Sequence, residues 1–316
     1  MGSNPSGITM KNTGQYTQGI TFAILSYLSW GILPLYWKLL DRVPAVDILA
    51  HRVLWSSIFT LAVCLLMKKR DFLRNYFSHP KSLAKLAVTG LLVSVNWGIY
   101  IYAINSGQIL EASLGYFINP LVCIVLGMFF LGEKLNKMQI AAFFLAIAGV
   151  AYLTINYGHF PWIAVGLALT FGVYGLLKKK MNYDSMSALA VETTLIAPLA
   201  IGYLFFGVSA GGAFFETQNF SVIFLLVFAG IVTALPLYWF GMAAVRINLY
   251  SIGFFQYIAP TMKLFIGIYI FHEIFSATHA VSFSLIWIGL TLYIGDMIVR
   301  LRRQKNMTQD SKFLEK

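Results

Sequence analysis

Long apolar runs almost free of charge recur between residues 17 and 299, and no other feature restricts the fold of this 316-residue chain as much. A run of about 18 such residues crosses a hydrocarbon core roughly 30 Å thick. Inside lipid every backbone polar group must be satisfied within the chain, so repeated spans of this length are read as helices. Composition agrees: 11% of residues are charged and 59% hydrophobic, against roughly 25% and 45 to 50% in soluble domains. The chain is therefore expected to be an all-α integral membrane protein. Hydropathy places ten spans, at 17 to 37, 46 to 67, 83 to 103, 109 to 131, 138 to 155, 161 to 177, 186 to 206, 220 to 243, 248 to 271 and 279 to 299. Residues 1 to 16 are polar and carry no cleavage pattern, so the first span is expected to be retained.

A duplication organises these spans. Pro120 and Glu133 are thirteen residues apart, and Pro260 and Glu273 repeat that spacing 140 residues later. Around them GYFINPLVCIVLGMFFLGEKL lies over FQYIAPTMKLFIGIYIFHEIF with its apolar positions nearly all matched. Earlier, at an offset of 141, Trp30-Gly31 lies over Phe171-Gly172, Lys38 over Lys179 and His51 over Glu192. A self-match at a fixed period sets the architecture. It predicts a repeat over 17 to 155 and another over 160 to 299, flanked by tails at 1 to 16 and 300 to 316.

Charge then orients the repeats. Nineteen of the 23 Lys and Arg residues fall in alternate connections and the two tails, including six at 68 to 85, Lys178 to Lys180 and the basic end beyond Arg300. The opposite connections hold only Lys38 and Arg42, while Arg52 and Lys263 lie within spans. Positive residues stay on the cytoplasmic side, so both termini are expected there, in the cell membrane. Five spans per repeat is an odd number, which forces the second copy to enter from the opposite side. The fold expected is ten transmembrane helices in two inverted five-helix repeats. Basic residues scattered between spans serve orientation and do not form a nucleic-acid surface.

Charge within the membrane points to a site, because an ionisable group at a span centre costs at least about 2.5 to 3.5 kcal/mol. Arg52 and Lys263 both lie roughly 10 Å below the outer surface, given a rise of about 1.5 Å per residue. They are expected to face one cavity, although an anchor that pairs with Asp47 or Asp41 is the alternative for Arg52. His51, Glu192 and Glu111 complete the intramembrane set. Glu192 is a candidate proton carrier, or a structural partner of Arg52, His51 or Lys263. Asn96, Trp97 and Tyr100 in the third span, Tyr238 and Trp239 in the eighth, and Tyr116, Asn119 and Gln256 just before prolines are candidate cavity lining. Pro34, Pro120, Pro198, Pro236 and Pro260 remove backbone donors within spans and are candidate kinks or hinges. Cys64 and Cys123 are expected to be buried apolar residues, with no disulfide framework.

Motifs of soluble enzymes are nearly absent. The chain has no phosphate-binding G-x-x-x-x-G-K-[ST] and no H-E-x-x-H or paired-Cys spacing, so neither cofactor nor metal is expected. Gly207 to Gly211 fits a nucleophile-elbow pattern but lacks the strand that such an elbow needs. A membrane-embedded enzyme and a non-transporting sensor or scaffold remain as rival classes.

The segments GILPLYWKLL from Gly31, ILAHRVLW from Ile48, SLGYFINPL from Ser113 and QYIAPT from Gln256, with Asn96-Trp97 and Gly132-Glu133, resemble RarD-type proteins. These form part of the EamA branch of the drug/metabolite transporter superfamily, and the likeness runs from about residue 17 to 300. The resemblance implies ten spans in two EamA repeats and a permease with a central cavity used in alternating access. Its implied partners are the bilayer and a small metabolite, amino-acid-like or drug-like and anionic if the two cations bind it. Substrate, direction, coupling ion and oligomeric state stay open.

Overall fold

The computed structural model describes residues 13–207, 220–272 and 275–314, and every regular element among them is a helix. In chain order these are α1 (Thr13–Lys38), α2 (Ala45–Leu66), α3 (Arg70–Ser78), α4 (Pro80–Asn105), α5 (Ile109–Leu131) and α6 (Lys137–Tyr157). The second half holds α7 (Trp162–Met181), α8 (Ser185–Gly207), α9 (Phe220–Ala244), α10 (Leu249–Gln256), α11 (Ile258–Tyr269) and α12 (Ala277–Leu314). Nine of these are long and apolar enough to cross a membrane. The remaining expected span, 248 to 271, is broken at Tyr257 into α10 and α11.

Pro260 explains part of that break, since it has no N–H to offer the carbonyl of Gln256 four residues earlier. Tyr257 N turns instead to the Phe254 carbonyl at 3.3 Å, a tighter three-residue step. Pro120, its counterpart, lies inside an unbroken α5. Two ends also differ from the hydropathy spans: α1 starts before residue 17, and α12 continues past 299. The basic connection at 68 to 85 contains α3, whose Leu73 and Tyr76 pack with Ala188 and Val191 of α8. Their spacing of three puts both on one helical face. Glu273 and most of the Gly207 to Gly211 pattern lie outside the described residues.

Packing repeats the duplication. Exchanging α1, α2, α4, α5 and α6 for α7, α8, α9, α10–α11 and α12 maps the most extensive packings between the halves onto one another. Thus α5 on α7 answers α11 on α1, α4 on α7 answers α9 on α1, and α2 on α9 answers α8 on α4, while α6 packs on α12. Small residues let these backbones approach. A Cβ on Gly31 would stand 2.8 Å from the Met262 side chain, and one on Gly172 would stand 2.6 Å from Val122. Gly149 against the Ser282 carbonyl at 2.7 Å and Gly289 against that of Ala142 at 2.8 Å form a second matched pair. A hydrogen bond is matched as well: Ser26 Oγ donates to the Pro236 carbonyl and Asn96 Nδ2 to that of Leu167, each at 2.8 Å.

Two acidic residues close helix ends across the halves. Neither α7 nor α10 has a side-chain cap of its own. Glu111, 3% exposed, accepts from Ile163 N at 2.7 Å at the start of α7. Glu133 accepts from Leu249 N at 2.8 Å and Tyr250 N at 2.9 Å at the start of α10. Carboxylates at helix N-termini satisfy orphan amides and meet the positive end of the dipole. Lys179 lies 3.8 Å from Glu133 and donates to the Ile247 carbonyl at 2.6 Å, and Tyr16 hydroxyl meets Ser251 Oγ at 3.1 Å. One end of the molecule is thereby sealed by polar bonds between halves.

At Gly230 a Cβ would lie 2.4 Å from the Trp55 carbonyl carbon and 2.7 Å from Ser56 N, whereas at Gly98 it would meet nothing within 4 Å. Overpacking of this kind costs roughly 1 to 3 kcal/mol. Gly230→Ala is expected to lower the thermal unfolding midpoint in detergent and Gly98→Ala to leave it unchanged or raised.

Candidate functional site

A cavity of about 390 Å³ lies between the two halves, walled by α1, α2, α4, α5, α7, α9 and α11 and by Gln256 at the end of α10. It reaches from Tyr27 to Lys38 along α1, eleven residues, or roughly 16 Å at helical rise. Tyr27, Trp30, Pro34 and Trp37 line it at spacings of three, four and three, one face of a helix. The opposite end of α1 is the one sealed near Tyr16.

Arg52 and Lys263 both line this cavity. The Arg52 guanidinium lies 4.8 Å from the ring centroid of Trp37 and 5.0 Å from that of Trp97, and its Nε donates to Thr233 Oγ1 at 2.9 Å. Lys263 Nζ lies 3.5 Å from the centroid of the Tyr116 ring. Among the described residues neither cation has a carboxylate in ion-pair range. Asp41 pairs with Lys38 at 3.3 Å and Asp47 accepts from Tyr203 at 2.7 Å, so neither is the anchor for Arg52. Cation–π contact offsets part of the cost of desolvating these charges, about 0.5 to 2 kcal/mol per contact.

Deeper in, an amide chain crosses the cavity floor. Gln256 Nε2 donates to Asn119 Oδ1, and Asn119 Nδ2 donates to the Ala168 carbonyl at 2.9 Å. Gln256 Oε1 and the Tyr27 hydroxyl are buried with no hydrogen-bond partner among the described residues. Pro34, Pro120 and Pro260 also deprive the carbonyls of Trp30, Tyr116 and Gln256 of their helical donors. All three of those residues line the cavity.

The structure therefore brings together Arg52, Lys263, Asn96, Trp97, Tyr100, Tyr116, Asn119, Gln256, Pro34 and Pro260. It places the other candidates elsewhere. His51 is turned about 100° around α2 from Arg52 and accepts from Trp55 Nε1 at 3.1 Å. Glu111 caps α7. Glu192, 1% exposed, pairs with Lys178 at 3.0 Å and accepts from Thr89 at 2.7 Å. This corrects two expectations: Glu192 partners none of Arg52, His51 and Lys263, and Lys178 is a buried ion, 5% exposed, and no part of a connection. On α9 the cavity face is Thr233 and Leu237, four residues apart. Tyr238 turns away to pack near Cys64 and Met186, and Trp239 does not line the cavity. Pro120 and Pro236 are buried beside it.

Tyr27, Trp30, Trp37 and Thr233 also line the cavity and are not among the lining candidates from the sequence. For the three aromatics a signal existed in the 3.6-residue spacing along the first span. Thr233 carried none, because only contact with Arg52 distinguishes it from other span threonines. Both cysteines are free and buried.

Breaking one side of a buried ion pair costs about 3 to 5 kcal/mol. Lys178→Met should therefore lower the unfolding midpoint far more than Arg52→Gln, which strands no carboxylate; thermal scans of the two purified variants compare them directly.

A model of the EamA-like transporter family matches residues 17–155. The uncharacterized transporter YojE of Bacillus subtilis is 43% identical over 300 residues, covering 92% of this chain and 97% of that protein. Protein RarD of Escherichia coli is 41% identical over 289 residues, with 92% and 98% covered. The chloramphenicol-sensitive protein RarD of Pseudomonas aeruginosa is 29% identical over 294 residues, with 91% and 97% covered. A crystal structure of another protein superposes with a TM-score of 0.67 at 18% identity, covering 88% of this chain and 97% of that one, and supports the fold alone.

Proposed function

This chain belongs to the EamA-like transporter family, in its RarD-type branch, and we propose that it is a secondary permease for a small anionic solute. The observation that carries the proposal is the pair of cations in one cavity between the halves, neither offset by a carboxylate among the described residues. A solute carboxylate or phosphate supplies the missing charge, and Trp30, Trp97 and Phe171 cover its apolar part.

Ten spans, counting α10 with α11 as one, give five per repeat and an inverted arrangement. Under the positive-inside rule the Lys38 end faces outward and the Glu133–Lys179 end faces the cytoplasm, with both termini. The conformation described is then open outward and sealed inward. Rocking of one repeat against the other exchanges the two, carrying the solute from side to side. Glu192, held by Lys178, acts in this reading as an anchor between α7 and α8 and carries no proton.

In proteoliposomes Arg52→Gln and Lys263→Met are each expected to cut counterflow of an anionic solute by about tenfold or more, the loss of roughly one charge-assisted hydrogen bond. Their unfolding midpoints should stay near that of the parent protein. Parental flux in both single variants would contradict the proposal.

A further inference from the structure

We infer that the solute of this cavity is a dianion with an apolar body, a dicarboxylate or a phosphate monoester, and that a monoanion leaves the site half neutralised. The inference deepens the permease reading and rests on it for the use of the site. What carries it is the balance of charge and of open hydrogen-bond donors along the wall. Lys38, Arg52 and Lys263 line the cavity, and no Asp, Glu or His does so among the described residues. Lys38 is already paired, with Asp41 at 3.3 Å. The charges of Arg52 and Lys263 remain.

Both groups can be reached by a solute. Arg52 gives only its Nε–H to the protein, at Thr233, and Lys263 Nζ makes no hydrogen bond among the described residues. Neither the Arg52 Nη atoms nor Lys263 Nζ is among the described polar atoms shut away from solvent without a partner. They are therefore open to the cavity, the guanidinium with its four remaining N–H groups and the ammonium with all three. One carboxylate has lone-pair sites for about four of these. A second carboxylate, or the three terminal oxygens of a phosphate monoester, serves the rest. One ring borders both cations: Lys263 Nζ stands 3.5 Å from the centre of Tyr116, and the Arg52 charge acts on the hydroxyls of Tyr116 and Tyr100. A solute lying against Tyr116 can meet the two together.

Elsewhere in its interior the chain neutralises lysines one for one, Lys178 by Glu192 at 3.0 Å and Lys179 by Glu133 at 3.8 Å. The acids on the helices of Arg52 and Tyr116 are committed away from the cavity. Asp47 accepts from Tyr203 at 2.7 Å and Glu111 from Ile163 N at 2.7 Å. By the same ratio the two cavity cations call for two negative charges, and the solute is what supplies them. A monoanion between them leaves one net positive charge in a space that screens weakly, whereas a dianion leaves none.

The test uses the full-length protein in detergent at fixed ionic strength, just above neutral pH, where a phosphate monoester carries nearly two charges. Binding is followed by quenching of tryptophan fluorescence and by thermal shift. The probes are 3-phenylpropionate, 3-phenylbutyrate, phenylsuccinate and phenyl phosphate. Phenylsuccinate is 3-phenylpropionate with a second carboxylate, and 3-phenylbutyrate puts a methyl group in that place. A dianion is expected to bind about tenfold or more tighter than either monoanion, the scale of one hydrogen bond between charged groups. Preference for phenylsuccinate alone or phenyl phosphate alone supports the inference and tells which acid the site takes. Arg52→Gln and Lys263→Met should each bring the ratio of dianion to monoanion affinity within about twofold, and either suffices if the other fails to fold. Lys263→Arg, which keeps the charge, should retain the preference. Each of the two neutral variants changes a net charge of +11 by one, so a general attraction of anions to the protein would leave the ratio almost unmoved. Monoanions that bind as tightly as both dianions, or a ratio unmoved by the neutral variants, overturns the inference. Preference for a dianion without any flux in proteoliposomes supports the inference and sinks the permease reading, whereas equal flux of monoanions and dianions does the reverse.

Discussion

An arginine held by two tryptophan faces and one threonine hydroxyl, with no carboxylate in ion-pair range among the described residues, is the constraint around which the cavity is arranged. Even half-burying a guanidinium without a paired charge is costly, and a chain that needed only a stable bundle would set an acid beside it, as it does for Lys178 with Glu192. Trp37 and Trp97 meet part of that expense through their rings, and Tyr116 does the same for Lys263. Aromatic stacking leaves a cation's charge uncompensated where an ion pair would cancel it. The cations in this protein thus fall into two kinds: Lys178 is buried and neutralised by Glu192, whereas Arg52 and Lys263 are half-buried, line the cavity and have no carboxylate in ion-pair range among the described residues.

Duplication explains how such a space exists between tightly packed helices. Matched glycines bring the halves into close contact along α1 with α11, α5 with α7, and α6 with α12, so the frame is nearly symmetric. The cavity is not. One end of the frame is closed by Glu133, Lys179 and the amides that open α10, while the other end is lined by Lys38 and Phe271. The chemistry also sits where the copies diverge: Lys263 stands in the place of Cys123, and Gln256 in the place of Tyr116. In the permease proposed, a symmetric frame with an asymmetric lining would let two alternative closures share one site.

The frame was legible in the sequence because lipid leaves few choices. Apolar length predicts the spanning helices, and the self-match at an offset of 140 to 141 predicts the matched contacts between the halves. The break at Tyr257 was not legible, since Pro120 in the same sequence setting leaves α5 continuous; only packing separates the two cases. Partners were legible least of all. Glu192 looked like a cavity acid because its true partner, Lys178, reads as one of three loop lysines, and nothing local distinguishes it from Lys179 or Lys180. Tyr238 and Trp239 looked like lining because they are aromatic, but α9 turns Thr233 and Leu237 to the cavity. Rotation about a helix axis is set by neighbours, and a sequence without amphipathic contrast conceals it.

In the permease proposed, Arg52 and Lys263 receive the anion of the solute. A crystal structure of the protein with 4-iodobenzoate, with the iodine located by its anomalous signal, tests this most directly. The iodophenyl ring is expected among the cavity aromatics and the carboxylate between Arg52 and Lys263. Iodine found only outside the cavity, or either cation seen paired with a carboxylate of the chain itself, would contradict it.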